Sequence, residues 1–379
     1  MLNLLKHFNT EKKKGFSFFS YQGVNDPQWT PNRYDSLASE GFQKNVIAFR
    51  AGNLVSRSVA SVPMTVKCKK TGEVDEELNS LLNRPNRSQA RATFFEAIVN
   101  YLLISGNAFV YCDDVPTFRC LRSDRIKIRP DKSKTDVDAY IYCVDGSEFV
   151  IDRENILHLK FFNPLNDWYG FSPLQTASRS IDQHNAMSAH NLSVLQNGGR
   201  PSGCLMVKSG TENLTQEQRE QLRTDIKNSY AGTKNAGRVM VLEGNFEWKE
   251  MGFSLKDLDF HSGKNTTARE IAEAFGVPPV LIGVQGDATF TNYKEARLHL
   301  WEDTILPLAD FICLEFGNWL SNKFEREVEI SLNSDAVPAL VMRRESLWNK
   351  ISNADFLTIN EKRELVGYPP ISEVDKDRI

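Results

Sequence analysis

The sequence predicts an α+β fold assembled from several domains, and three observations carry that reading. Its 379 residues exceed one ordinary core and suit two or three. Apolar stripes at helical spacing are followed by clusters of short β-prone runs, without the regular strand–helix alternation of a parallel sheet. Midway along the chain, two long helical patterns bracket a small strand-and-helix unit and set it apart from the material on either side.

Residues 1–35 are mostly polar and broken by turn chemistry around Pro27 and Pro31, which reads as a loose arm. Residues 36–62 read as a helix, because Ile47, Ala51, Leu54, Val55, Val59 and Val62 fall on one face. Pro63 stops it and MTVKC follows as a strand; DEELNSLLNRPN is a short helix ending before Pro85. The next helix carries a doubled stripe of Phe94, Phe95, Ile98, Val99, Leu102 and Leu103, and Gly106-Asn107 ends it. AFVYC, IKIRP, AYIYCVDG, SEFVID and ILHLKFF then read as short strands of one mostly antiparallel sheet.

Ser172 suits an N-cap and Pro173 the first helical position, so a helix opens there and runs to about Asn197, roughly 37 Å at 1.5 Å per residue. Its middle, ASRSIDQHNAMSAHN, is polar nearly all round; such a helix bridges solvent or packs against copies of itself. Gly198-Gly199 breaks it. A strand–helix–strand–strand unit follows, whose helix opens with a capping box of Thr215 and Gln218 and buries Leu222, Ile226 and Tyr230. A second helix ends at Phe275-Gly276, where Pro278-Pro279 forbids continuation, and a loop carrying Gly283 and Gly286 comes next. The two bracketing helices both return to the main body, so they must run antiparallel with the small unit at their far end. A long helix then reaches about Phe324, with the strongest stripe in the chain (Trp301, Ile305, Leu308, Ile312, Phe316, Trp319) and a kink expected at Pro307. The tail reads as a strand, VEISL, and two further helices, RRESLWNKIS and LTINEKREL.

Composition and motifs act mainly by exclusion. Apolar content of 41% and charged content of 25% are those of a globular protein. A net charge of −3 argues against a grip on nucleic acid through many phosphate contacts, though not against letting it slide past. None of the six cysteines forms a C-x-x-C pair, so they read as buried reduced thiols. No cleavable leader and no membrane-spanning run is evident, which places the chain in the cytoplasm or in something assembled there. GTKNAGRV from Gly232 has Arg238 where a phosphate loop needs Lys, and HSGKNT from His261 lacks both the first glycine and the hydroxyl for magnesium. The histidines lack metal-ligand spacing and no nucleophile elbow occurs, so no catalytic constellation, metal site or cofactor is expected. The residues alone leave two classes standing beside an enzyme of unfamiliar site: a conduit built from many copies, and an oligomeric scaffold whose head recruits a protein partner.

One ordered set of motifs narrows this. LLNRPN (81–86), LLISGNAFVY (102–111), YGFSPLQ (169–175), NGGRPSG (197–203), AFGVPPVLIG (274–283), TNYKEARLHLWEDTILP (291–307) and INEKRELVGYPPI (359–371) occur in sequence. Together, over about residues 36–371, they resemble the portal proteins of tailed double-stranded DNA bacteriophages, in the family typical of long-tailed phages and gene transfer agents.

The resemblance implies a portal-type multidomain fold: an N-terminal arm (1–35), an α/β wing (36–172), a first stem helix (173–198), a small α/β clip (199–254), a second stem helix (255–275), a tunnel loop (276–293), a long kinked helix (294–324) and a C-terminal crown region (325–379). It implies a ring of twelve subunits at one capsid vertex of the virion, assembled in the bacterial host cytoplasm. That ring passes double-stranded DNA without sequence preference, docks the terminase large subunit and later the head–tail adaptor, and sits among copies of the major capsid protein; no membrane is involved. The loop of that family touches DNA in the channel, which points to Val284, Gln285, Asp287, Thr289 and Asn292, with Lys294 the nearest cation. Arg200, Lys208, Arg219, Arg223 and Lys227, interleaved with Glu217, Glu220 and Asp225, are the clip residues expected to face partners or DNA. The competing reading of 277–292 is an ordinary connection between two helices. The short stretch after GYPPI leaves little material for the helical barrel that some portals carry there.

Overall fold

Asn45 and Pro63 delimit the first long helix. In a computed structural model, which describes residues 29–113, 115–196, 203–207, 215–218, 220–221, 224, 246–250, 260–284, 290–366 and 371, the helical pattern predicted over 36–62 is divided in two. Tyr34–Ser36 (α1) continues in π form as Leu37–Gln43, and Val46–Ser61 (α2) starts afresh. The break is set by Asn45, whose side-chain oxygen accepts from the N–H groups of Ile47 and Ala48 at 3.0 and 3.1 Å and so nucleates a new helix. Ala48, Ala51, Val55 and Val59 are buried on the face of α2 that the spacing predicts.

Met64–Cys68 (β1) pairs antiparallel with a strand more than 260 positions later, Val328–Leu332 (β10), in the register Met64↔Leu332. This pairing joins an early and a late part of the chain in one body. Asp75 caps Glu76–Asn83 (α3), and Arg91–Ser105 (α4) packs on α2, burying Phe94, Phe95, Ile98, Val99 and Leu102. Gly106 closes α4 in the left-handed conformation (φ 75).

The strands that follow are Asn107–Cys112 (β2), Phe118–Leu121 (β3), Ile126–Pro130 (β4), Val137–Val144 (β5), Ser147–Asp152 (β6) and Ile156–Lys160 (β7). Antiparallel pairing is as expected, but a single sheet is not. Among the described residues these strands form two three-stranded sheets, ordered β3-β2-β7 and β4-β5-β6. Alternation within a strand says which face is apolar but not which strand lies beside it, so the split is invisible in the sequence. Phe109, Ile126, Tyr140 and Ile156 form a small core joining the two sheets.

The main core gathers α2, α4 and the later helix Leu306–Lys323. At its centre Phe316 meets Phe118 at 5.3 Å, Trp319 at 5.6 Å and Phe95 at 6.0 Å between ring centroids. Trp319 satisfies its indole N–H on the Glu154 carbonyl at 3.1 Å.

Pro173–Thr176 (α5) opens with a full capping box, in which Ser172 and Gln175 bond reciprocally to each other's backbone. It gives way at Ala177 to Ser178–Gln196 (α6). Gly203–Val207 (β8) pairs antiparallel with Phe246–Glu250 (β9), and Phe260–Ala274 (α7) follows. α6 and α7 run antiparallel: Ser180 Oγ donates to Glu270 at 2.6 Å, and seven residues further along α6 Met187 lies against Gly263, seven residues earlier in α7.

The polar character of α6 has a partial local explanation that the sequence reading lacked. Its first half docks by hydrogen bonds. Asp182 accepts from the N–H and hydroxyl of Thr30 at 2.8 and 2.5 Å, and Asn45 donates to Asn185 at 3.0 Å and lies 3.2 Å from His184 Nδ1. Ile181 and His184 are its buried residues. Burial, with Lys264 nearby, lowers the His184 pKa.

The remaining helices are Phe290–His299 (α8), Leu306–Lys323 (α9), Val341–Ser352 (α10) and Ile359–Leu365 (α11). The long helix expected to run unbroken to Phe324 is interrupted, not merely kinked: Leu300–Ile305, between α8 and α9, is π-helical, and Leu306 N–H reaches back to the Trp301 carbonyl. Pro307 supplies the reason. It has no N–H to return to the preceding turn, and a wider turn accommodates the deficit. Of the predicted stripe, Trp301, Ile305, Ile312, Phe316 and Trp319 are buried and Leu308 is half-buried. Cys68, Cys112, Cys120, Cys143 and Cys313 form no disulfide; of these Cys112 and Cys313 are buried, and Cys68, Cys120 and Cys143 are half-buried. No helix of the described residues is long and apolar enough to cross a membrane.

Candidate nucleic-acid interface

The segment AFGVPPVLIG builds a rigid exit from α7. Gly276 adopts φ 67, its N–H reaches the Glu273 carbonyl at 2.8 Å, and the Val277 N–H reaches that of Ala272 at 2.9 Å. This pair of bonds is a Schellman motif, which satisfies the last carbonyls of the helix. Pro278-Pro279 then turns the chain into a single 3-10 turn, Pro279–Ile282, closed by Gly283 at φ 83. Val277, Leu281 and Val284 are buried, and the Val284 N–H bonds to the Pro279 carbonyl at 3.2 Å. The stretch 277–284 is therefore anchored, and Gly283 supplies the left-handed residue that ends the turn.

Val284 is 8% exposed in the single chain, and its N–H closes the turn. Gln285, Asp287 and Thr289 lie outside the described residues. Asn292 and Lys294 are exposed on α8. Positions two apart on a helix point about 200° apart, so these two do not share a face. Arg297, one turn after Lys294 and exposed, does share its face and was missed by the sequence reading. The signal that marks it is the i,i+3 spacing of cations within TNYKEARLH.

α8 is weakly held. Across 291–299 no residue is buried; Ala296 and Leu298 are half-buried. Its C-terminal end is fixed by Leu300, Trp301 and Ile305 of the π stretch, all buried. There Thr304 donates its hydroxyl to the Gly276 carbonyl at 2.7 Å. His299 and Asp303 pair at 3.3 Å on the exposed side of the same stretch.

The clip candidates are less accessible to description. Arg200, Lys208, Arg219, Arg223 and Lys227 all lie outside the described residues, as do Leu222, Ile226 and Tyr230. The capping box of that unit is present: Thr215 N–H donates to Gln218 at 3.0 Å and Gln218 N–H to Thr215 Oγ1 at 3.3 Å. Glu217 and Glu220 are exposed. Among the described residues no group of acids, histidines and cysteines is arranged to hold a metal ion.

The base of the helical pair is joined to the sheets by a buried polar hub. The Asn107 side chain, 5% exposed, accepts from the Gly170 N–H at 2.8 Å and donates to the Ser105 carbonyl at 2.8 Å. Those two bonds settle its amide orientation, so His158, 3.1 Å away, donates from Nε2 to the same Asn107 oxygen. His158 stacks on Phe109 at 4.3 Å, and burial with Lys160 close by pushes its pKa down to about 3. Gly106 and Gly170 cross so closely that a Cβ on Gly170 would lie 2.1 Å from the Gly106 carbonyl oxygen.

Comparison with known proteins gives a consistent result. A family model described as phage portal protein matches residues 47–367. An uncharacterized protein of Rickettsia bellii is 42% identical over 363 residues, covering 93% of this chain and 94% of its own. The portal protein of Enterobacteria phage HK97 is 24% identical, over 89% of this chain and 81% of its own. Among solved structures, a chain in the neck of a native gene transfer agent particle, computed with C12 symmetry, is 39% identical and superposes with a TM-score of 0.69 over 92% of this chain and 97% of its own. An HK97-family phage portal protein from Corynebacterium diphtheriae, at 16% identity and a TM-score of 0.57, shares the fold.

Proposed function

The chain belongs to the phage portal protein family, and from that premise we propose that twelve copies close into a ring at one vertex of a phage or gene-transfer-agent capsid and conduct double-stranded DNA during packaging and ejection. The observation that carries the twelve-fold reading is the likeness, at 39% identity over 92% of the chain, to a neck chain whose particle was computed with C12 symmetry. In this reading the terminase large subunit docks first on the clip and the head–tail adaptor later. The major capsid protein surrounds the ring, which assembles in the host cytoplasm. Residues 36–172 act as wing, α6 and α7 as the stem, 199–254 as clip, 276–293 as tunnel loop and 325–379 as crown.

Features of the single chain support completion by neighbours. Leu192 and Leu195, on the half of α6 beyond its polar docking, are 55% and 66% exposed. In the α10–α11 hairpin Ile351 is the one buried residue among the described side chains of 341–366, while Trp348, Ile359 and Leu365 are exposed. Helices with so little core of their own are stabilised by packing partners. The near-neutral balance of the chain suits a conduit, since each added phosphate contact would hold the cargo and slow it.

The test is the mass of the purified assembly. Native mass spectrometry is expected to show a closed particle of twelve 43.1 kDa chains, and micrographs to show a ring with a central opening. A chain that stays monomeric or dimeric under all conditions, including inside particles, overturns the reading and favours a scaffold that recruits a partner without conducting DNA.

A further inference from the structure

Gly276 is held to glycine by two independent constraints. Its φ of 67 is left-handed, and a Cβ there would lie 2.6 Å from Thr304 Oγ1 and 3.1 Å from Thr304 Cγ2. The exit of α7 and the π stretch therefore touch at this point. The N–H groups of Gly276 and Val277 are committed to the Schellman bonds. The Gly276 carbonyl is met from 28 positions further along the chain, by the Thr304 hydroxyl at 2.7 Å.

Thr304 reaches that carbonyl because of the π turn. The Leu306 N–H returns to the Trp301 carbonyl five positions back, which is the bond of a π turn. With Leu300, Trp301 and Ile305 turned into the core, Thr304 is half-buried and directed at Gly276. α8, directly before this stretch, has no buried residue across 291–299. Half-buried Ala296 is its contact with the main core, so its placement depends largely on what holds its ends, and the end away from residues 285–289 is the π stretch.

We propose that Thr304 is a positioning residue: through its bond to the Gly276 carbonyl it sets where α8, carrying Asn292, Lys294 and Arg297, stands relative to the end of α7. Its consequence for DNA rests on the portal reading above; the positioning itself does not. π turns in otherwise α-helical runs occur frequently at functional sites, where they redirect side chains that an unbroken helix would aim elsewhere.

Two variants separate the bond from the packing. Thr304→Val keeps the shape and removes the donor; Thr304→Ser keeps the donor. Hydrogen exchange is read by mass spectrometry on the full-length protein in its native assembly. Thr304→Val is expected to speed exchange across α8 by about three- to tenfold, the range set by loss of one hydrogen bond, while α4 and α9 exchange at wild-type rates; Thr304→Ser is expected to match wild type. Unchanged exchange in α8 of the Val variant overturns the proposal. So does an equal acceleration in α4 and α9, which would make Thr304 a general core contact. The same variants are then scored for DNA retained in filled particles, where Val is expected to retain less than Ser. Equal retention, with α8 exchange raised only in Val, would remove the consequence for DNA. A wild-type protein that forms no ring would count against the portal reading and leave the exchange comparison intact.

Discussion

Asn107, His158, Gly106 and Gly170 show how much depends on single residues at the root of the helical pair. His158 is neutral in the fold, since burial pushes its pKa to about 3, whereas an unfolded histidine titrates near 6.5. Between those values the unfolded chain binds a proton that the folded chain does not. Stability therefore rises with pH across this window and is lost as pH falls from about 6.5 towards 3, by up to about 1.4 kcal/mol per pH unit from this group. Urea midpoints measured from pH 7 to pH 4 are expected to fall more steeply for the wild type than for His158→Gln; parallel curves would show that His158 is not a source of the slope. Cys313, by contrast, is a buried thiol pushed up to about 12, and it behaves as a small apolar side chain.

At the scale of elements, the helix starts at Ser172 and Thr215 were legible in the sequence, whereas the fresh start at Asn45 and the π interruptions were not. Ser172 and Thr215 cap where their residue types and spacing indicate, because a cap is a bond between positions three apart. Ser172→Ala is expected to cost about 1 kcal/mol by loss of the cap, seen as a lower denaturation midpoint, with Ser172→Asp recovering most of it. A midpoint unchanged in the Ala variant would mean that Pro173 and the packing of Leu174 suffice to start the helix. The π stretches at Leu37–Gln43 and Leu300–Ile305 were missed. Their apolar residues still satisfy a helical stripe within one position, and only the backbone bonds distinguish the two forms. From the sequence α6 is a helix that bridges solvent or packs against copies of itself. It is partly docked by Thr30 and Asn45, which bond to its Asp182 and Asn185, because polar side chains can supply specific contacts that a count of apolar faces does not register.

For the molecule as a whole, β1 and β10 tie the early and late parts of the chain into one body, and the antiparallel run of α6 and α7 takes the chain out and back. The proposed channel segment lies at the return. Deleting 285–289 while keeping the Val284 anchor is expected to leave ring assembly intact and to reduce nuclease-protected DNA per particle. Full DNA content in the deletion variant would return 277–292 to the status of an ordinary connection between helices.

What the sequence determined by itself is the set of features that close within a few residues: apolar stripes, caps, proline stops and the helix ends at Gly106 and Gly276. An ordered set of such local motifs also sufficed to point to the family. The tertiary structure decided the division of the strands into two sheets, the Asn107 hub and the meeting of Thr304 with Gly276. Each of these joins positions whose approach depends on how whole elements pack, and no periodicity along the chain records which distant partner a side chain will meet.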